Sequence, residues 1–335
     1  MGDKKISIII PMKDEENYIA SCLESILNSD YNSKNMQIIV INSMSKDKSL
    51  SIVKEYMSRH SNIQCYDNQN VYTPFAFNMG VKNSGGEYIF IISAHCQYER
   101  NYFTVLVDQA GKLNADAVGA VSKTGVLNHT IKTNSIKDVL SNKFGVGDSY
   151  FRIGTNKVIE VDAISGCYHR RVFERYGLYN EKLIRNQDIE LNKRIKNNGG
   201  KLYLIPYTSY TYFVRENFSA LATNNYNNGF WNILTAYYTK TLNSLSLRHF
   251  IPLLFLFSLI IPTMLSVLSS QILWLSFFSF ISYLSLVIII SFRIKNSSNS
   301  IRYLIVSFLT LHFSYGLGSL MGIFSAINKY IKGEK

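Results

Sequence analysis

The last quarter of this chain contains two long stretches that lack charged residues. In a sequence of 335 residues, no Asp, Glu, Lys or Arg occurs between Phe250 and Phe292, and none between Tyr303 and Ile327. Uncharged runs of this length are typical of transmembrane helices rather than of core helices in soluble domains. Three hydrophobic segments are therefore predicted, at 250–268, 272–292 and 303–327.

The sequence also lacks paired cysteines and nucleic-acid-binding signatures. None of the four cysteines forms a C-x-x-C pair, which argues against a structural zinc site or a disulfide framework. There is no basic arm, zinc-finger spacing or aromatic-and-glycine RNA-binding pattern. The net charge of +12 therefore indicates anionic lipid headgroups and phosphorylated ligands as partners, and no nucleic acid.

A signal peptide is not predicted, because the apolar run Ile6–Met12 is too short before the charged K-D-E-E. We therefore expect a multi-pass protein of the cytoplasmic membrane whose N-terminal domain faces the cytoplasm. The cationic loop that starts at Arg293 agrees with the positive-inside rule, whereas Lys329 and Lys332 after the third segment oppose it. That last segment is either a full span or a re-entrant or interfacial one.

Residues 6–95 alternate short apolar runs with helical patterns. This βαβα alternation predicts an α/β domain with a mostly parallel central sheet and helices on both faces. Ligands of such sheets bind beyond the carboxyl ends of the strands. Polar clusters follow three of these ends: Lys13 to Glu16, Asn42 to Ser45, and Ser93 to His95.

The Asn- and aromatic-rich stretch 218–238 is interpreted as a pair of amphipathic helices at the membrane interface, where Tyr and Trp are favoured. The predicted organisation is a catalytic domain at 1–217, interfacial helices at 218–248, and a transmembrane region at 249–335.

The segment R-N-Q-D-I-E-L-N-K-R, residues 185–194, contains Asp188 at the start of a predicted helix. Taken alone, Asp188 has two interpretations. It is a helix cap that accepts hydrogen bonds from free backbone N–H groups, or it is a catalytic base. Glu190 and Arg194 have the spacing of an ordinary ion pair on one helix face.

Several motifs resemble those of family-two glycosyltransferases, which have the GT-A fold. They are I-S-I-I-I-P-M-K-D-E-E-N from Ile6, I-I-V-I-N-S-M-S-K-D from Ile38, T-P-F-A-F-N-M-G from Thr73 and G-G-E-Y-I-F-I-I-S-A-H from Gly85. F-G-V-G from Phe144, V-D-A-I-S-G from Val161 and R-N-Q-D-I-E-L-N-K-R are similar to the membrane-tethered branch that builds exopolysaccharides of the succinoglycan type.

The resemblance implies a nucleotide-sugar-binding domain and an inverting transfer in which Asp188 is the general base. It places a set of residues around the nucleotide sugar: Pro11, Glu15, Asn42, Asn78, Ser93 and His95. It places a second set on the acceptor side: Asp162, Gly166 and Glu190.

Two positions depart from the family pattern. Asn42 stands where the second strand usually ends in an Asp that pairs with the base, so the preferred nucleotide is left open. Ser93-Ala94-His95 replaces the Asp-x-Asp metal motif, and the first carboxylate is lost. The resemblance implies Mg²⁺ or Mn²⁺, but His95 is equally a metal or diphosphate ligand and a polar residue at a strand end.

The sequence thus predicts an inverting glycosyltransferase that moves a sugar from a nucleotide sugar to a lipid-linked saccharide, in exopolysaccharide or cell-surface glycan synthesis. Two alternatives remain: a catalytically impaired nucleotide-sugar-binding scaffold, suggested by Asn42 and Ser93, and a processive polysaccharide synthase. Three membrane spans are few for a channel through which the protein would export its own polymer. The synthase is therefore ranked below the glycosyltransferase.

Overall fold

A computed structural model describes residues 4–147, 149–241 and 247–333 of the chain. The chain divides into two compact units, one of Met1–Lys123 with Tyr150–Phe213 and the other of Thr124–Ser149 with Val214–Lys335. The second boundary lies close to the predicted end of the catalytic domain at residue 217. Thr124–Ser149 was predicted within that domain, but it groups with the C-terminal unit.

The first unit is built on a mixed sheet in the order β3-β2-β1-β4-β8-β6-β9-β5, with β7 paired to β9. The strands are β1 Ile6–Met12, β2 Met36–Asn42, β3 Ile63–Asp67, β4 Tyr88–Ile91, β5 Cys96–Tyr98, β6 Ala117–Gly125, β7 Ile159–Glu160, β8 Gly166–His169 and β9 Leu202–Phe213. The helices of this unit are α1 Ile19–Leu27, α2 Ser49–Arg59, α3 Thr73–Lys82, α4 Tyr102–Lys112, α7 Tyr150–Ile153, α8 Arg171–Tyr176 and α9 Gln187–Asn197.

Strands β1 to β4 pair in parallel, as the sequence predicts. The apolar run of β1 has no exposed surface at Ile8, Ile9 or Ile10, because neighbouring helices cover both faces. Ile9 packs with α3 on one face, and Ile8 and Ile10 pack with α1 on the other. The parallel half therefore provides the buried platform whose carboxyl edge carries the polar loops.

The other half of the sheet is antiparallel, so the predicted mostly parallel pairing holds only for the first four strands. Strand β8 joins β4 and β6 in antiparallel pairs. It begins at Gly166, where φ is +154° and an added Cβ would lie 2.8 Å from the carbonyl oxygen of Val118. A glycine is needed for this close approach of two backbones.

The second unit is helical over the residues described. Its helices are α5 Ile131–Leu140, α6 Lys143–Val146, α10 Phe218–Thr239, α11 Ile251–Leu265, α12 Leu273–Ile294 and α13 Ile301–Ile331. Two stretches, Ser270–Ile294 and Ile301–Ile331, are long and apolar enough to cross a membrane. The first predicted hydrophobic segment forms the shorter helix α11, which has 15 residues.

Helix α10 is one continuous helix of 22 residues, whereas the sequence analysis expected a helix pair. It packs along α13 through glycines on both helices. A Cβ on Gly318 would overlap the carbonyl oxygen of Tyr226, and one on Gly229 would overlap that of Tyr315. Small residues of this kind allow two backbones to approach closely. The Gly318-x-x-x-Gly322 motif therefore serves packing within the chain.

Candidate active site

The carboxyl ends of β1, β2 and β4 lie at one edge of the sheet, and two of the loops that follow them are joined. The backbone N–H of Asp14 donates to Ser45 Oγ at 3.1 Å, and that of Lys46 donates to Asp14 Oδ1 at 2.7 Å. Asp14 and Met44 have positive φ values of 53° and 59°. Such backbone strain is found preferentially at functional sites.

Asn42 ends β2 and is 3% exposed. Its Oδ1 accepts a hydrogen bond from the backbone N–H of Ser45 at 3.1 Å, and its Nδ2 donates to Asp67 Oδ1 at 2.8 Å. The Asp67 carboxylate, at the end of β3, therefore lies directly beside the Asn42 amide. Sequence analysis did not single out Asp67, although it is the last residue of β3 and therefore lies at the same edge of the sheet as Asn42.

Glu15 and His95 meet at this edge. Glu15 Oε1 lies 2.9 Å from His95 Nδ1, and Ser93 Oγ lies 3.2 Å from the same nitrogen. Glu15 is 8% exposed, and its second oxygen, Oε2, is buried without a hydrogen-bond partner among the residues described. Of the residues predicted around the nucleotide sugar, the structure thus brings Glu15, Ser93 and His95 together, with Glu15 orienting the imidazole.

These side chains do not form a complete site for a divalent metal. Mg²⁺ and Mn²⁺ favour several oxygen ligands, but Ser93 carries no charge and the Glu15 carboxylate is bonded to His95. Over residues 4–147, 149–241 and 247–333, no group of three or more His, Cys, Asp or Glu side chains is placed to hold a metal ion. The implied metal therefore does not fit this set of donor atoms.

Asn78 was predicted to contact the nucleotide sugar, but its amide is bonded to another part of the protein. Nδ2 donates to the carbonyl of Tyr179 at 3.0 Å and to Glu181 Oε1 at 2.9 Å, while Oδ1 accepts from the Tyr179 N–H at 2.9 Å. Asn78 is 3% exposed. It therefore fixes the loop that leads to Asp188, and its predicted contact with the donor is untested.

We expect Asn78→Ala to lower the free energy of unfolding by about 2–3 kcal/mol, because three hydrogen bonds are lost in a buried place. Turnover should fall with it, since the loop before Asp188 is loosened. Asn83→Ala, directly after the same helix, is the matched control, because this exposed side-chain amide donates only to the carbonyl of Met79 in that helix. Equal thermal midpoints for the two variants would contradict this role.

Asp188 is the second residue of α9, and its carboxylate accepts hydrogen bonds from its own N–H and that of Ile189. Asn186, just before the helix, has a φ of +61°. Burial raises the pKa of Asp188 above its usual range, and the two backbone donors oppose this only in part. The Asp188 carboxylate is thus held by the first turn of α9, and its role as the base stays a prediction.

Buried contacts anchor α9 at the edge of the sheet. Asn192, which has no exposed surface, donates to the carbonyl of Ile164 at 2.6 Å and accepts from the Tyr168 hydroxyl at 3.2 Å. Ser165 Oγ donates to the carbonyl of Ile91, the last residue of β4, at 3.3 Å. Asp188 is one helical turn before Asn192, about 6 Å along the axis. Asp188 therefore lies near the end of β4 and the start of β8, at the edge of the sheet.

The remaining predicted residues lie in or near these elements. Pro11 is in β1 opposite Ile41, and Asp162 is exposed in the bend between β7 and β8. Arg194 donates to the Glu190 carboxylate, from Nε to Oε1 at 3.0 Å and from Nη2 to Oε2 at 2.8 Å. This is the ion pair expected between residues four apart on one helix. The acceptor-side roles of Asp162, Gly166 and Glu190 stay predictions.

Comparison with known proteins gives the family. The family model described as Glycosyl transferase family 2 matches residues 7–176. A dolichyl N-acetyl-alpha-D-glucosaminyl phosphate 3-beta-D-2,3-diacetamido-2,3-dideoxy-beta-D-glucuronosyltransferase of Methanococcus voltae is 30% identical over 216 residues, which are 63% of this chain and 67% of that protein.

The succinoglycan biosynthesis protein ExoA of Rhizobium meliloti is 24% identical over 210 residues, which cover 62% of this chain and 63% of ExoA. The glycosyltransferase GlyA of Streptococcus pneumoniae is 26% identical, and the match spans only 31% of its length. The crystal structure of S. aureus TarS 1–349 resembles the fold, with a TM-score of 0.53 at 14% identity over 98% of this chain and 92% of that one.

The family match, the named relatives and the mixed α/β sheet confirm the resemblance and the fold class predicted from the motifs. The chain belongs to glycosyl transferase family 2 and is a glycosyltransferase of the GT-A type.

Proposed function

We propose that this glycosyltransferase inverts the anomeric centre of a nucleotide sugar and transfers the sugar to a lipid-linked saccharide at the cytoplasmic face of a membrane. This transfer is one step in the assembly of an exopolysaccharide or another cell-surface glycan. The observation that carries the proposal is the Asp188 carboxylate, which is partly buried at the start of α9 and has a raised pKa.

The chemistry explains why such a carboxylate is needed. The acceptor hydroxyl is a poor nucleophile, and its oxygen attacks the anomeric carbon while its proton passes to Asp188. The bond from the anomeric carbon to the phosphate oxygen breaks, and the nucleoside diphosphate leaves with the electron pair. Attack on the face opposite the leaving group inverts the anomeric centre. The ordered backbone of α9 keeps the base aimed.

The nucleotide sugar is proposed to lie along the edge that carries Asn42, Asp67, Glu15 and His95. Asn42 and Asp67 together present an amide donor and a carboxylate acceptor, which suits the edge of a base. The unpartnered Oε2 of Glu15 is a ready acceptor for a donor hydroxyl. Pro11, Asn78 and Ser93 complete the proposed set.

The acceptor and the location are inferred from the relatives and the apolar helices. The name of the Methanococcus voltae relative states that it acts on a dolichyl-linked sugar phosphate, and ExoA is named for succinoglycan biosynthesis. The two helices long enough to cross a membrane would keep the catalytic unit near a lipid-bound acceptor. The basic charge of the chain suits anionic headgroups on the cytoplasmic side.

The proposal is tested by incubating the full chain in detergent with UDP-, GDP-, CDP- and dTDP-sugars and a membrane lipid extract. We expect one donor class to label a lipid-extractable product, with an inverted anomeric centre by NMR. A nucleotide-sugar-binding scaffold would bind a donor without turnover. A processive synthase would instead produce a polymer that is not lipid-extractable.

We expect EDTA to inhibit the transfer only in part, because the protein side chains at the strand edge do not complete a divalent-metal site. The measurement is the initial rate with excess EDTA, with Mg²⁺ and with Mn²⁺. Complete and metal-reversible loss of turnover in EDTA would contradict this expectation.

A further inference from the structure

Arg152 lies beside the candidate site, although no motif in the sequence pointed to it. Its guanidinium carbon is 5.4 Å from the centre of the Tyr212 ring and 5.4 Å from that of the Phe151 ring. The His95 ring also contacts Tyr212, edge-on, with the ring centres 4.9 Å apart. Arg152 and the imidazole of the Ser93-Ala94-His95 segment therefore both contact the same aromatic ring.

The Arg152 guanidinium has no polar partner in the part of the chain that the structure describes. It makes ring contacts only, with neither a hydrogen bond nor an ion pair. The structural arginines behave differently: Arg170 and Arg171 donate to backbone carbonyls, and Arg194 is paired with Glu190. Stacking thus holds the Arg152 cation in place while its five N–H donors stay available.

The reaction needs a cation here. A nucleoside diphosphate gains negative charge as it leaves, and a fixed positive charge lowers the barrier. The metal motif has lost its first carboxylate at Ser93, and Glu15 offsets any positive charge on His95. The guanidinium is planar and matches phosphate oxygens with two parallel hydrogen bonds.

We propose that Arg152 binds the diphosphate of the donor directly and stabilises it as the leaving group. This inference rests on the proposed function, because it requires a nucleotide sugar at the strand edge. It adds a catalytic residue that acts through charge and places the diphosphate on the Tyr212 side of His95. The two stacked rings, Phe151 and Tyr212, then act as positioning residues for the cation.

The test is calorimetric binding of UDP, GDP, CDP and dTDP, each beside its own nucleoside, to the full chain in detergent with excess EDTA. For the diphosphate that binds, we expect Arg152→Gln to weaken affinity about 10- to 100-fold, as expected when hydrogen bonds to a charged group are lost. Nucleoside binding should be unchanged, and Arg152→Lys should retain part of the affinity. Arg59→Gln is the control, since Arg59 is exposed and pairs with Glu55 on α2.

Equal diphosphate affinity in Arg152→Gln and the wild type would overturn the inference about Arg152 but not the proposed function. A parallel loss of nucleoside and diphosphate binding would also overturn it, because that result indicates a structural role. Failure of the wild type to bind any of the four diphosphates would overturn the proposed function together with this inference.

Discussion

Asp188→Asn is expected to lower the rate of sugar transfer about 100- to 10,000-fold, the range that a positioned general base contributes. The amide keeps the size of the side chain and can still accept from the N–H of Ile189, so α9 should stay folded. An amide cannot take the acceptor proton, however. Donor affinity should change little, because the base acts on the acceptor hydroxyl.

The control is Asp108→Asn, which makes the same chemical change at a carboxylate on α4 that pairs with Lys112. Its turnover should match the wild type. Unchanged turnover in Asp188→Asn would exclude Asp188 as the base. A fall in donor binding as large as the fall in turnover would indicate that the substitution disturbs the donor site instead.

The raised pKa of Asp188 also predicts a link between stability and pH. A carboxyl whose folded pKa lies above its unfolded value favours folding while protonated. Its ionisation therefore costs stability as the pH rises through the folded pKa. We expect Asp188→Asn to raise Tm relative to the wild type at neutral pH, and the difference to vanish below about pH 3.9, the unfolded value. The acid limb of kcat/KM should lie above that value.

Gly318→Ala is expected to destabilise the helical unit strongly. A Cβ at this position would overlap the Tyr226 carbonyl oxygen, which is backbone and cannot turn aside. Helices α10 and α13 must then separate, at a cost of about 1–3 kcal/mol or more for an overpacked site. The gain of about 1 kcal/mol in helix propensity for Ala over Gly does not offset this loss. The measurement is thermal unfolding in detergent.

The matched control is Gly111→Ala in α4. The nearest atom to an added Cβ there is the Tyr88 hydroxyl at 3.8 Å, which is ordinary contact. The same substitution should therefore leave Tm unchanged or raise it. If Gly318→Ala were as stable as Gly111→Ala, the close packing of α10 on α13 would be refuted.

The sequence predicted the parallel half of the fold closely because local patterns specify it. The βαβα alternation expected over residues 6–95 is observed, from β1 at Ile6–Met12 through α3 at Thr73–Lys82 to β4 at Tyr88–Ile91. Short apolar runs predict the strands and a helical period predicts the helices between them, and each pattern can be read within a short stretch of sequence. Of the three predicted hydrophobic segments, two contain helices long enough to cross a membrane and the first forms the shorter helix α11.

The remaining features depend on contacts between distant parts of the chain. The Glu15–His95 bond joins residues 80 apart, and the Asn42–Asp67 bond joins different strands. Strand β8 depends on a close approach between Gly166 and Val118 that local propensity does not express. Helix α10 is continuous although it carries Asn225 and Asn232; both are buried, and the Asn232 amide donates to the Tyr315 hydroxyl of α13. Arg152 likewise becomes visible only when Tyr212 is placed beside His95.

The most direct test of the central claim is a structure of the full chain with its nucleotide sugar bound. The account predicts the nucleotide along the ends of β1, β2 and β4, and the Asp188 carboxylate on the side of the anomeric carbon opposite the diphosphate. An Asp188 side chain turned away from the bound sugar, or a nucleotide bound elsewhere on the sheet, would contradict it.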